Sequence, residues 1–271
     1  MMLRGLILDW AGTVVDHGSR APMGAFVRAF AQFGVTVSVA DARGPMGMAK
    51  RDHIAALMAL PQVAAAWRAA QDSAPDEVAI DRLLAVFEPM NIAAIRDHAD
   101  IIPGALEAIA WARALGMRIG STTGYTRPIM AELMPLAAAA GYAPDHVVCA
   151  GDLPEGRPSP LMMWHAMAAL GCWPAHLVVK VDDTPPGIGE GVNAGTWSIG
   201  LALTGNICGL SAAELAALPA AARAPVRGRA EAELFAAGAD MVIDSIADLP
   251  AALEQIEARL AQGERPRGVR P

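Results

Sequence analysis

Leu3-Arg4-Gly5-Leu6-Ile7-Leu8-Asp9-Trp10-Ala11-Gly12-Thr13 is the stretch on which the fold turns. The apolar run from Leu3 to Asp9 reads as a buried strand, and the glycine after it as the turn that leaves it. A carboxylate is thereby set at the carboxyl end of a strand. From Ile101 onward short β-rich runs recur at Met117 to Thr122, His146 to Ala150, Leu177 to Val181, Thr196 to Leu201 and Ala239 to Ile243, with helical stretches between them. Such alternation implies an α/β protein with a doubly wound parallel sheet, covered by helices on both faces. Between about Ala21 and Ala99 there is no convincing strand. Ala-rich amphipathic stretches such as Met48 to Leu60 and Val78 to Phe87 make that region an inserted α-helical unit. The expected division is a core of residues 1–18 and 100–271 and a helical insert of residues 19–99.

The chain has 271 residues, 54% of them hydrophobic, enough for a sizeable core with or without an insert. No run approaches the roughly 18 consecutive apolar residues of a spanning helix, so no membrane partner is expected. The first apolar run meets Asp9 almost at once and leaves no room for a secretory signal, which makes the cytoplasm the expected location. A net charge of -7 argues against nucleic acid but leaves room for a small anion at a local positive site. Cys149, Cys172 and Cys208 are scattered without CxxC spacing and read as reduced thiols. Of 21 basic residues only two are lysines, Lys50 and Lys180. Arginine replaces lysine wherever only charge matters, but never where a neutral amine is needed, because its guanidinium does not deprotonate. Both lysines are therefore candidates for chemistry, the alternative being chance survival under a compositional bias.

Four strand ends in succession supply Asp9, Thr122-Thr123-Gly124, Arg157 and Asp182-Asp183. Singly, an Asp caps helices and a Thr-Gly makes turns. Together they form the set that phosphoryl transfer requires. A carboxylate nucleophile attacking phosphorus needs a cation, hydroxyl and amide donors, and fixed positive charge. Asp9 with Asp183 suits Mg²⁺, whose octahedral shell takes one or two carboxylates, a carbonyl and waters. Thr123 and the Gly124 amide precede a helix expected to start near Pro128, whose N-terminus adds field to the pocket. Arg157 supplies the charge. The glycines 187, 189 and 191 begin too far beyond their strand for a dinucleotide fingerprint.

Asp9-Trp-Ala-Gly-Thr13, followed in order by Thr123, Arg157 and Asp183, resembles the haloacid dehalogenase superfamily. More narrowly, Met46-Gly-Met-Ala-Lys50-Arg-Asp-His53, Gly120-Ser-Thr-Thr-Gly-Tyr-Thr-Arg127, Gly156-Arg-Pro158 and Lys180-Val-Asp-Asp-Thr184 resemble its phosphonoacetaldehyde hydrolases over nearly the whole chain. The resemblance implies a Rossmann-like core with a helical cap inserted after the first strand, and a homodimer. It also implies an aspartyl phosphate on Asp9, Mg²⁺ held by Asp9, Ala11 and Asp183, and phosphonoacetaldehyde cleaved to acetaldehyde and phosphate.

Most phosphatases of this superfamily carry a second Asp two residues after the nucleophile, where this chain has Ala11. That absence fits a carbon leaving group, whose electrons need an imine as a sink, and Lys50 offers the amine. Met46, Lys50, His53 and Leu57 fall at i, i+4, i+7 and i+11, one face of an expected helix. Lysine on a partly apolar face loses solvation and its pKa falls, while His53, titrating near neutrality, serves as proton carrier. Ser19 on the cap linker and Tyr125 past the phosphate loop stand where the family lines its pocket, with Met46. Gly187 stands where some relatives have another Asp; Lys180 and Trp10 read as structural. Two other functions stay open: a phosphate-monoester phosphatase on the same scaffold, and a non-catalytic phospho-ligand binder. Residues 203–237 are expected to form two helices broken by Pro219 and Pro225, with a frayed tail from Gly263 to Pro271.

Overall fold

A computed structural model of the chain describes residues 2–268. The opening strand, β1 (Gly5–Leu8), is central. It lies between β2 (Arg118–Thr126) and β4 (Val178–Asp182) in a six-stranded sheet that also holds β3 (His146–Ala150), β5 (Trp197–Leu201) and β6 (Met241–Ile243). The order is β3-β2-β1-β4-β5-β6 and every pairing is parallel. Leu6 and Leu8 point into one apolar layer and Ile7 into the other, so the strand reads as a continuous hydrophobic run. One layer is covered by α6 (Ala105–Ala114), α7 (Arg127–Ala139) and α12 (Leu249–Ala261). The other is covered by α8 (Leu161–Leu170), α9 (Pro185–Ala194) and α11 (Ala220–Ala236), with the short α10 (Ala212–Ala217) before the last of these. Strand order reverses beside β1, which opens a crevice at the carboxyl ends of β1, β2 and β4.

The insert consists of α1 (Ala21–Gln32), α2 (Val39–Arg43), α3 (Lys50–Ala59), α4 (Pro61–Gln71) and α5 (Glu77–Ile95). It has its own apolar cluster, in which Phe26 and Phe87 stack at 4.2 Å beside Phe30, Leu57, Trp67 and Leu83. Truncating Phe87 to Ala would cost about 3–5 kcal/mol. The two linkers to the sheet are tied to each other: Ile102 N–H donates to Val14 at 2.8 Å and Asp16 N–H to Asp100 at 3.2 Å. Asp16, buried and at φ +54°, accepts the Ala21 N–H at 2.9 Å and so orients the start of α1.

Several expectations are corrected. β2 runs past Thr122 to Thr126, with a register shift between Thr123 and Thr126, although α7 starts at Arg127, beside Pro128 as expected. α3 starts only at Lys50, so Met46 lies in the preceding turn and not on a shared helical face. Gly47 is at φ +92° there, a conformation that ends any helix. α11 runs through Pro225: the proline and Ala221 are both exposed, so water satisfies the carbonyl that the ring leaves unpaired. The tail packs as far as it is described, with Pro266 buried and the Arg267 N–H donating to Asp240 at 3.0 Å. Residues 269–271 of that expectation lie outside the described residues. Among the described residues no helix is long and apolar enough to cross a membrane.

Candidate active site

The crevice is roofed by the insert, and one buried cavity is lined from both sides. The core contributes Asp9, Ala11, Thr123, Gly124, Tyr125, Arg157 and Thr184, the linker Ser19, and the insert Met46, Gly47 and Lys50. The cavity measures about 20 Å³, room for one water and little more. A cavity of about 690 Å³ opens at the amino ends of β1 and β2, but it holds none of these residues.

Local backbone geometry explains the placement. Asp9 N–H donates to Val181 at 3.0 Å, which keeps the carboxylate level with the end of β4. Gly12, at φ +81°, makes the turn, and a Cβ there would overlap the Asp183 carboxylate. The bulge in β2 turns Thr123 and Gly124 toward Asp9, and the Thr123 hydroxyl accepts the Tyr125 N–H at 3.1 Å.

Arg157 is the centre of a buried charge network. Its guanidinium lies 2.9 Å from Asp9, 3.3 Å from Asp182 and 3.0 Å from Glu190, and donates to the Thr122 carbonyl at 2.6 Å. Lys180, fully buried, completes the network at 3.1 Å from both Asp182 and Glu190 and 2.7 Å from the Thr122 hydroxyl. Burial alone would raise Asp182, but Arg157 and Lys180 outweigh it and hold its carboxyl below the usual range. Lys180 thus serves the network, in keeping with its structural reading. Glu190 was not legible in the sequence, because it sits in a Gly-Ile-Gly-Glu-Gly string that reads as a turn. Those glycines let α9 lie against β4: a Cβ on Gly191 would stand 2.7 Å from the Lys180 Cβ. A lone acid among glycines was the available signal.

The acidic residues suit a divalent cation. Oxygens of Asp9, Asp182 and Asp183 lie within 4.8 Å of one another, all buried. Asp9 is pushed up to about 6, first by burial and then by Asp182; Asp183 is held well above the usual carboxylate range by burial, Asp182 and Asp9. Carboxylates that raise one another are stabilised by positive charge between them. Asp182 faces both Arg157 and Lys180, whereas Asp9 faces Arg157 alone and Asp183 takes part in none of these ion pairs, so Asp9 and Asp183 are the carboxylates that could share an ion, with Ala11 in the cavity wall beside Asp9.

From the insert, Lys50 enters the cavity almost wholly buried, and burial lowers its pKa to about 8 against the opposing pull of Asp9 and Asp183. Its amine lies over the Tyr125 ring at 4.9 Å, and burial keeps that phenol neutral. His53 does not line the cavity. It stacks on Phe26 at 4.0 Å, with Nε2 2.9 Å from the Ala42 carbonyl and Nδ1 without a hydrogen-bond partner. Burial and then Lys50 push its pKa well below 6.5, so the expected titration near neutrality is corrected to a neutral imidazole. Trp10 also lies away from the cavity, edge-on to Tyr142 at 5.0 Å in the core.

The seam between insert and core is made by backbone. A Cβ on Gly124 would stand 2.6 Å from the Met48 carbonyl, and one on Gly47 would overlap the Thr184 hydroxyl. Thr184 caps α9 and its hydroxyl donates to Asp182 at 2.7 Å, so the insert rests on the same network that holds Arg157.

Comparison with known proteins agrees with this geometry. The model of the haloacid dehalogenase-like hydrolases matches residues 3–195. A phosphonoacetaldehyde hydrolase of Paraburkholderia phytofirmans is 54% identical over 97% of this chain and 99% of its own length. Another, from Klebsiella pneumoniae, is 48% identical over 97% of this chain and 99% of its own. The crystal structure of a phosphonoacetaldehyde hydrolase-like protein from Oleispira antarctica superposes with a TM-score of 0.96 at 39% identity, over 98% of this chain and 96% of that one. A β-phosphoglucomutase from Clostridium difficile, at 14% identity and a TM-score of 0.68, shares the fold alone. The chain belongs to the haloacid dehalogenase-like hydrolases and, within them, to the phosphonoacetaldehyde hydrolase family.

Proposed function

We propose that this enzyme hydrolyses the carbon–phosphorus bond of phosphonoacetaldehyde to acetaldehyde and phosphate, with Lys50 forming an imine and Asp9 taking the phosphoryl group. The observation that carries this reading is the shared cavity: an amine lowered to about 8 and a carboxylate paired with Arg157 line the same small space.

Neutral Lys50 adds to the aldehyde carbon, and loss of water leaves a protonated imine. Asp9 then attacks phosphorus. The carbon–phosphorus pair moves into a carbon–carbon double bond as the imine nitrogen becomes a neutral enamine. Arg157 offsets the charge on the phosphoryl oxygens, and Thr123, the Gly124 amide and the N-terminus of α7 donate to them. The enamine takes a proton at carbon and water frees acetaldehyde from Lys50. A second water cleaves the aspartyl phosphate, so one water is consumed overall. His53 stands on the helix of Lys50 as a neutral acceptor, Tyr125 and Met46 exclude water around the amine, and Ser19 offers a hydroxyl. Mg²⁺ is the ion we assign to Asp9, Ala11 and Asp183; when bound it offsets repulsion between carboxylate and phosphonate. The same reading takes residues 19–99 as the cap, the cytoplasm as the location, and a homodimer as the assembly.

Borohydride added with phosphonoacetaldehyde tests the proposal. A reduced adduct on Lys50 is expected by mass spectrometry, Lys50→Arg should stop turnover, and Asp9→Ala should abolish phosphate release. Hydrolysis of simple phosphate monoesters without an adduct would make the protein a phosphatase, and inertness toward both would make it a binder.

A further inference from the structure

Arg43 lies at the end of α2, on the insert and outside the wall of the cavity. Its guanidinium crosses the seam. Nη1 is within donating distance of the Gly18 carbonyl at 3.0 Å, the Asn206 carbonyl at 2.9 Å and the Asn206 side-chain oxygen at 3.0 Å, while Nη2 donates to the Gly209 carbonyl at 3.2 Å. The Asn206 amide returns a bond to the Arg43 carbonyl at 3.1 Å. Gly18 belongs to the linker before α1, and Asn206 and Gly209 to the loop after β5, so one side chain joins the insert, its hinge and the core. The loop is shaped for this contact, since a Cβ on Gly209 would stand 2.7 Å from the guanidinium carbon.

The loop so held also touches the acidic cluster. The Asn206 N–H donates to Asp183 Oδ2 at 2.7 Å. Arg43 and Asp183 are therefore linked through a single residue that Arg43 grips by both its backbone and its side chain.

We propose that Arg43 is a positioning residue that couples seating of the insert to the orientation of Asp183. This inference rests on the reading of Asp9 and Asp183 as the site of a divalent ion. With the insert seated, Arg43 fixes Asn206, whose N–H holds the Asp183 carboxylate in place. Lifting the insert withdraws the guanidinium, frees the loop and removes that constraint. By reciprocity, an ion that binds the oriented carboxylate better must favour the seated insert.

The test is Mn²⁺ binding to the substrate-free, full-length protein, followed by electron paramagnetic resonance, alongside steady-state kinetics. Arg43→Ala should weaken Mn²⁺ binding about tenfold and raise KM more than it lowers kcat, the scale expected of a hydrogen bond to a charged group. Asn206→Ala keeps the N–H that reaches Asp183 but loses the side-chain ties, so it should weaken Mn²⁺ binding in the same direction. The double variant should be no worse than Arg43→Ala, because both act through one link. Arg43→Lys, which cannot span acceptors that a planar fork reaches together, should fall between Arg43→Ala and the unsubstituted protein. A merely structural arginine would lower thermal stability and leave Mn²⁺ affinity alone. Affinities within about twofold of the unsubstituted protein in both single variants would overturn the inference while leaving the proposed chemistry intact. Failure of the unsubstituted protein to bind Mn²⁺ would overturn both.

Discussion

Gly187 and Asp182 share one space: the carboxylate of Asp182 fills the position where the Cβ of any other residue at 187 would begin. So placed, Asp182 accepts the Thr184 N–H at 3.0 Å and faces Lys180 at 3.1 Å and Arg157 at 3.3 Å. Gly187→Ala should displace that carboxylate, costing about 1–3 kcal/mol of stability as overpacking does. Activity should fall further, since Arg157 loses a partner. Asp182→Gly combined with Gly187→Asp returns a carboxylate to the same space from the helix side, and its kcat/KM should exceed that of either single variant. A double variant as impaired as Gly187→Asp alone would show that the two positions do not exchange.

Lys50 lowers stability in its protonated form, and burial favours the neutral form that adds to the aldehyde. Its folded value of about 8 lies below the ordinary 10.5, chiefly through burial. Between those values the unfolded chain binds more protons, so stability rises with pH there and the penalty is fully present below about 8. Lys50→Met should therefore stabilise the protein at pH 7, by up to about 3 kcal/mol. The gain should shrink as the pH approaches 10.5. Urea unfolding at pH 7 and pH 10 measures it, and an equal effect at both would mean that the amine is not desolvated.

His98 and Asp16 give the opposite slope. The imidazole lies 3.5 Å from the Asp16 carboxylate, and that partner raises its pKa above 6.5. The contribution is fully present below 6.5 and is lost as pH rises through the folded value. His98→Gln should lower the melting temperature at pH 6 and leave it nearly unchanged at pH 9. Because the ring is partly exposed, salt should weaken the effect.

Chelation should separate the two reagents. With divalent ions removed, borohydride should still trap the aldehyde on Lys50, because imine formation needs only the neutral amine and a carbonyl. Phosphate release should cease. Loss of trapping together with loss of phosphate would mean that the ion is needed to bind the substrate at all.

The sheet and most of the cavity wall were legible because each depends on short-range pattern. Apolar runs ending in Asp9, Thr123 and Asp183 mark strand ends, and parallel topology brings strand ends together without further information. Lys50 stood out because arginine had replaced nearly every other lysine. Residues that act across the chain left weaker traces. Glu190 was masked by its glycines, and Arg43 resembled any other basic residue on a short helix, since what defines it is the set of carbonyls it meets from Gly18 to Gly209. Met46 was assigned to the right cavity through the wrong geometry: the turn at Gly47, and no helical face, brings it there. His53 carries the expected side chain in a setting dry enough to suppress its charge, and burial of that kind depends on Phe26 and Ala42, distant in sequence.

The cavity of about 20 Å³ also sets the order of events. A molecule with a phosphonate at one end and an aldehyde at the other exceeds that volume, so its arrival and departure are expected to move the helices overhead. Each catalytic cycle is then expected to include a gating movement before and after the bonds change. If that movement is slower than the chemistry, turnover will respond to the viscosity of the medium while the reactivity of the bound intermediate will not.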